Sequence, residues 1–216
     1  MNAQVSSVTQ VAESLFLLGL RPEAPLAFKA GQFIIISLPP ESEGAKAPKG
    51  FYSIASAEQN GSELVLLVEH RPAGGYVSSW MSTRKPGESL TFDGPLGKFL
   101  LKEDGPAPLA FLGYKAGLAP LRSMILNQLA SGSSREAWLF LGGEPLFDAE
   151  WKALSAQHPH FHYHPHENPA SELAARLQGR RPEIYAAGFT KEVEPLQARL
   201  LEAGFEKDSM HIEKFG

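Results

Sequence analysis

Residues 112–120 read LGYKAGLAP. An apolar run, PLAFLG, leads into them, and LAPLRSMILNQLA follows with apolar residues at helical spacing. This is the layout of a strand, a tight turn and a helix. The free N–H groups in the first turn of such a helix suit a phosphate. Pro120 fits that first turn, where a missing N–H costs nothing. Tyr114 and Lys115, however, stand where a phosphate cradle wants bare backbone.

From here to the C-terminus the pattern alternates. AWLFLGG, FHYHPH, EIYAAG and MHIEKFG read as strands; DAEWKALSAQ, SELAARLQ and EVEPLQARLLEAG read as helices. Strand–helix alternation with short links implies right-handed crossovers and a roughly five-stranded parallel sheet. Ligands of such sheets bind beyond the carboxyl ends of the strands. Toward the N-terminus the signals are short strands instead: SLFLLGL (14–20), GQFIIISL (31–38), FYSIAS (51–56), ELVLLVEH (63–70) and SLTFDG (89–94), with QVSSVTQVAE (4–13) as a sixth. LPPESEGAKAPKG, RPAGG and KPGE separate them, and YVSSWMST (76–83) reads as one short helix. Six strands punctuated in this way predict an antiparallel β-barrel. LKEDGPAP (101–108) marks the boundary, giving a barrel over residues 1–104 and an α/β domain over 105–216.

Composition narrows the function classes. The 216 residues contain no cysteine, which excludes disulfides, cysteine-ligated zinc and cysteine-ligated iron–sulfur clusters from them. A net charge of −4 argues against a large basic nucleic-acid surface. There is no apolar run of about 18 residues, so no membrane span is expected. The first residues lack a basic segment followed by an apolar stretch, so no signal peptide is expected and a cytoplasmic location is.

FYSIAS (51–56), GGYVSSWM (74–81) and GPLGKF (94–99) occur in that order, together with GQF (31–33), KPGE (85–88) and EKF (213–215). This set resembles the ferredoxin–NADP⁺ reductase family over nearly the whole chain. The resemblance implies a Greek-key barrel that binds FAD, with FMN as the alternative, and an α/β domain that accepts a nicotinamide nucleotide. It implies that hydride passes from the nicotinamide to flavin N5, and that electrons leave to a separate redox protein. In the first motif, Tyr52 would pack against the flavin ring and Ser53 would lie near N5, with Ile54 following; a hydroxyl there can assist proton movement. Gly74 and Gly75 would allow close backbone approach, with Val77, Ser78 and Ser79 offering helix-terminal N–H groups to phosphate. Gly94 and Gly97 would complete the flavin site. A plain turn with a serine cap accounts for GGYVSS equally well taken alone.

One flavin-side position departs from the family pattern. The arginine of Arg-x-Tyr-Ser is Gly50 here, and strand alternation is expected to point Lys49 to the other face unless a bulge intervenes. Arg71 or Lys98 would have to supply the charge. A lost charge-assisted phosphate contact is worth about 1.5–3 kcal/mol, roughly one to two decades in affinity.

The nicotinamide side departs more. The family's Gly-Gly-Thr-Gly-Ile-Ala-Pro reads Tyr114-Lys115-Ala116-Gly117-Leu118-Ala119-Pro120. Gly117 is kept. Lys115 would pair with a phosphate, or Tyr114 would occupy the pocket or stack on a ring, or the turn would bind nothing. After the second strand Glu144 replaces the arginine that greets a 2′-phosphate, which favours NADH over NADPH. Cys-Gly-Pro becomes Ala187-Gly188-Phe189, with Gly188 kept. At the C-terminus, Glu213 and Phe215 would close the site beside the flavin, with Ser53 as its third catalytic member. An ordinary last strand with an aromatic in the core is the other reading.

HPHFHYHPHE places five histidines at alternate positions from His158 to His166, spaced about 6.6 Å along an extended strand. Two prolines interrupt it, and a third parallel strand flanked by loops is the expectation, with no metal site. Two functional readings stand: an FAD-dependent oxidoreductase moving electrons between a reduced nicotinamide and a redox partner, or a reductase-fold flavin-binding or ligand-free interaction module without nicotinamide-dependent activity.

Overall fold

The computed structural model describes residues 1–40, 42, 46–71, 75–102 and 105–216. The first six strands are β1 (Asn2–Ala12), β2 (Leu15–Pro22), β3 (Phe33–Ser37), β4 (Lys49–Ser53), β5 (Leu64–Glu69) and β6 (Ser89–Leu96), with a seven-residue helix α1 (Tyr76–Ser82) between the last two. Their order in the sheet is β4-β3-β6-β1-β2-β5, and every pairing is antiparallel. A bridge between Ile54 and Leu66 joins the two ends and closes the barrel. Alternation decides which side chains go inside: Leu18 and Leu20 of β2, Ile34 and Ile36 of β3, and Leu64, Leu66 and Val68 of β5 fill one core with Ile54 and Phe92.

The second part alternates as its sequence does. β7 (Leu109–Tyr114) leads into α2 (Leu118–Ala130), β8 (Ala137–Gly142) into α3 (Asp148–Gln157), and β9 (Phe161–Pro165) into α4 (Pro169–Leu177). β10 (Glu183–Phe189) then leads into α5 (Thr190–Glu202), and β11 (Met210–Phe215) ends the sheet. All pairings are parallel, in the order β9-β8-β7-β10-β11. β7 is buried on both faces, as a central parallel strand must be. α4 starts where Asn168 accepts a hydrogen bond from the Ser171 amide and Pro169 takes the first helical position. The connection changes direction between β7 and β10, and that switch point is where such sheets bind ligands.

The two parts share a continuous apolar seam. Leu15, Ala30, Ala55, Leu67 and Phe99 from the barrel side pack with Phe111, Leu118, Leu121 and Met124 of β7 and α2. Arg122 fixes it: its Nη1 donates to the Ala55 carbonyl at 2.6 Å, while Nε and Nη2 donate to Glu150 of α3 at 3.1 and 2.6 Å. Ser123 Oγ adds a 2.7 Å bond to the Ser56 carbonyl. Among the described residues no helix is long and apolar enough to cross a membrane.

Candidate active site

A cleft of about 580 Å³ lies where the barrel meets the carboxyl edge of the parallel sheet. The end of β4 supplies Tyr52 and Ser53; the start of α1 supplies Gly75, Val77 and Ser78; the end of β11 supplies Glu213 and Phe215. These come from three distant parts of the sequence, and all seven are among the residues that the motifs single out. Ala116 and Ala119 form part of the floor.

Other predicted residues lie elsewhere. Ile54 is wholly buried in the barrel core, where its amide donates to the Gln32 carbonyl at 2.9 Å. Ser79 sits one turn into α1, away from the cleft lining. Gly94 and Gly97 take left-handed φ values of 131° and 112° beside Phe33, so they shape the barrel's exit rather than the cleft wall. Gly117 is a packing glycine: a Cβ there would overlap the Ala187 carbonyl of β10. Gly188 has φ 152° and lies against Glu192 of α5. Glu144 is exposed in the turn after β8, and Gly74 falls outside the described residues. The Lys115 ammonium lies 3.9 Å from the Glu69 carboxylate.

Leu67 and Glu69 of β5 also line the cleft, although no motif singles them out, and Arg71, one of the two cations expected to stand in for the arginine missing at Gly50, lines it too, in step with the period of two. That alternation was readable in VLLVEHR. Arg71 places its guanidinium 4.1 Å above the Phe189 ring, which meets Phe215 edge-on at 5.8 Å. Lys98 is not in the lining, so Arg71 is the cation nearer to Gly50's expected role. At the rim stand Phe51, 64% exposed, and Tyr76, 53% exposed.

The electrostatics are those of a partly desolvated site. Burial pushes the Tyr52 phenol up to about 12, so it stays a neutral donor. Burial likewise raises the Glu213 carboxyl above its ordinary value. Among the described residues, Glu69 Oε2 is buried with no hydrogen-bond partner. A buried acceptor without a donor is costly, and a ligand N–H or O–H in the cleft would satisfy it. The cleft thus has the size, the aromatic walls and an open polar partner for a planar heteroaromatic cofactor.

The middle of the histidine run, His162 and His164, lies in β9, with His158, His160 and His166 outside it, as expected of a third parallel strand flanked by loops. The His162 ring lies tilted against Trp138 with centroids 4.0 Å apart, His164 stacks on Phe140 at 5.6 Å, and burial lowers the pKa of both imidazoles. Among the described residues no three His, Asp or Glu side chains converge as metal ligands would.

Comparison with known proteins agrees with this geometry. Residues 2–100 match the oxidoreductase FAD-binding domain family. The reductase component DmpP of phenol 2-monooxygenase from Pseudomonas sp. (strain CF600) is 30% identical over 175 residues, covering 78% of this chain and 47% of that protein. Ferredoxin–NADP reductase B of Sorangium cellulosum (strain So ce56) is 32% identical over 170 residues, covering 73% and 66%. The chain therefore spans about half to two thirds of the length of these relatives. The crystal structure of the Amycolatopsis cytochrome P450 reductase GcoB superposes with a TM-score of 0.84 at 25% identity, over 100% of this chain and 70% of that one. Motifs in order, a closed barrel on a five-stranded parallel sheet, and these matches agree: the chain belongs to the ferredoxin–NADP⁺ reductase family.

Proposed function

We propose that the chain is an FAD-dependent oxidoreductase that moves electrons between a reduced nicotinamide and a separate redox protein. One observation carries this reading: a single cleft gathers Tyr52, Ser53, Val77 and Ser78 from the barrel with Glu213 and Phe215 from the last strand. Residues 1–104 hold the flavin and residues 105–216 receive the nicotinamide. Bound flavin supplies a hydride acceptor that can return electrons singly. Tyr52 and Phe215 give the cleft its aromatic surfaces. The Ser53 hydroxyl and the Glu213 carboxyl, which burial holds toward its protonated form, are the proton-bearing groups beside the reacting ring. Backbone N–H groups at the start of α1 offer the pyrophosphate its contact, which supports FAD, as does the family match. Glu144 after β8 repels a 2′-phosphate and accepts from a ribose diol, so NADH is favoured over NADPH. A separate acceptor suits a chain segment without cysteine ligands, and the phenol 2-monooxygenase relative is itself a reductase component.

A second reading is a flavin-binding or ligand-free interaction module without nicotinamide-dependent activity. It is favoured by the Tyr114 ring lying on Gly142 at the sheet's carboxyl edge. Anaerobic addition of NADH, then NADPH, to the purified protein separates the two. Bleaching of the flavin band, faster with NADH, is expected. A yellow protein that neither nucleotide bleaches overturns the first reading.

A further inference from the structure

The last residues of β7 and β8 are register partners, with Tyr114 opposite Gly142. Gly142 leaves a bare shelf at the carboxyl edge, and the Tyr114 ring covers it. A Cβ added at Gly142 would lie 2.5–2.6 Å from the ring atoms Cζ and Cδ1, so the ring rests directly on the glycine. The ring is part-buried and joins the apolar cluster of Leu112, Phe140 and Leu196. It thus has packing of its own and is not a free surface side chain.

The rest of the turn is closed in the same manner. Lys115 sits at φ 45°, a left-handed conformation that glycine adopts without strain. From there its ammonium reaches across to Glu69 of the barrel at 3.9 Å. Gly117 is packed against the Ala187 carbonyl and lies near Gly188 Cα, so the turn has no room to recede. On the far side of the switch point, Arg71 covers Phe189. The chain's own side chains line each wall of the crevice beyond β7, β8 and β10.

We infer that Tyr114 is a plug of the dinucleotide crevice: its ring holds the ground that a dinucleotide's ribose and phosphates need, and it sets the chain's affinity for nicotinamide dinucleotides. The inference rests on the reductase reading above and deepens it by naming the residue that limits the donor. Binding requires the ring to leave Gly142 and the cluster behind it. The apolar burial that the ring gives up is lost from the binding energy. For a half-buried aromatic this amounts to about tenfold in affinity.

The test is calorimetric titration of NAD⁺ into the full chain, which needs no turnover and can be read with or without flavin. Tyr114→Ala is expected to bind NAD⁺ about tenfold more tightly than wild type. Tyr114→Phe keeps the ring and is expected at wild-type affinity. Tyr114→Thr, well suited to a strand end, serves in the same role should the alanine variant not fold. Removal of the ring with unchanged or weaker affinity, or no detectable binding in any form, overturns the inference; weaker binding would make the ring a stacking platform. The flavin band is recorded on the same samples, so a colourless protein contradicts the flavin reading separately while the titration still decides the role of Tyr114.

Discussion

Replacing Gly50 separates the two effects that this position controls. The sequence pattern suggests that Gly50→Arg restores a phosphate-facing cation. The structure adds a complication: a Cβ at Gly50 would lie 2.5 Å from the Tyr52 hydroxyl and 2.7 Å from Cζ, so any side chain there pushes the ring aside. The obstacle is the far end of a side chain, and the ring can turn. Its displacement forfeits aromatic packing worth about 0.5–1.5 kcal/mol. Gly50→Ala bears that loss without return, and its FAD affinity should fall by roughly two- to tenfold. Gly50→Arg bears the same loss and gains a charge-assisted contact of about 1.5–3 kcal/mol. Arg should therefore exceed Ala by about one to two decades at low salt, with the gap narrowing as salt is added. Kd values come from quenching of FAD fluorescence on titration with apoprotein. Equal affinities for the two variants at low salt would refute the placement of Gly50 opposite the phosphates.

Two further outcomes follow from the seam and the last strand. Arg122→Met removes three hydrogen bonds between barrel, α2 and α3 and leaves the Ala55 carbonyl and Glu150 without their donor. The pair is 16% and 31% exposed, so the loss should fall below that of a fully buried pair, at about 2–3 kcal/mol, or roughly 4–12 °C in Tm; a change of under about 1 kcal/mol would show that the seam does not depend on it. Glu213→Gln should stabilise the protein at neutral pH. Because burial raises the folded carboxyl's pKa, the native state holds a proton that the unfolded state releases, and stability falls as pH rises from about 4.3 through the folded value. The advantage of glutamine should vanish below that window; a pH-independent difference in denaturant unfolding would contradict the burial of Glu213.

Most of the fold was readable because its signals are local. The barrel strands are apolar or alternating and rich in aromatic and β-branched residues, and the parallel strands are short apolar runs between helices. The candidate cleft was readable because its motifs are short and ordered; Tyr52, Ser53, Val77, Ser78, Glu213 and Phe215 line it together although they span most of the chain. What escaped depends on contacts between distant residues. That Tyr114 lies on Gly142 follows from the β7–β8 register, which no local pattern specifies. Arg122 occupies an ordinary position in an amphipathic helix, and only the docking of α2 on the barrel gives it the Ala55 carbonyl. Gly117 looked like a phosphate glycine, and its demand for space comes from β10, some seventy residues away. Glu69 is the exception: the period of two from Leu67 was sufficient to place it on the cleft side with Arg71, which the missing arginine at Gly50 had already brought into question.

The central claim is that the cleft between barrel and sheet holds a flavin. Titration of FAD into purified protein, followed by visible absorbance after removal of free cofactor, tests it directly. The account predicts a yellow protein with one flavin per chain, weakened by Tyr52→Ala. A colourless protein that retains neither FAD nor FMN would contradict it.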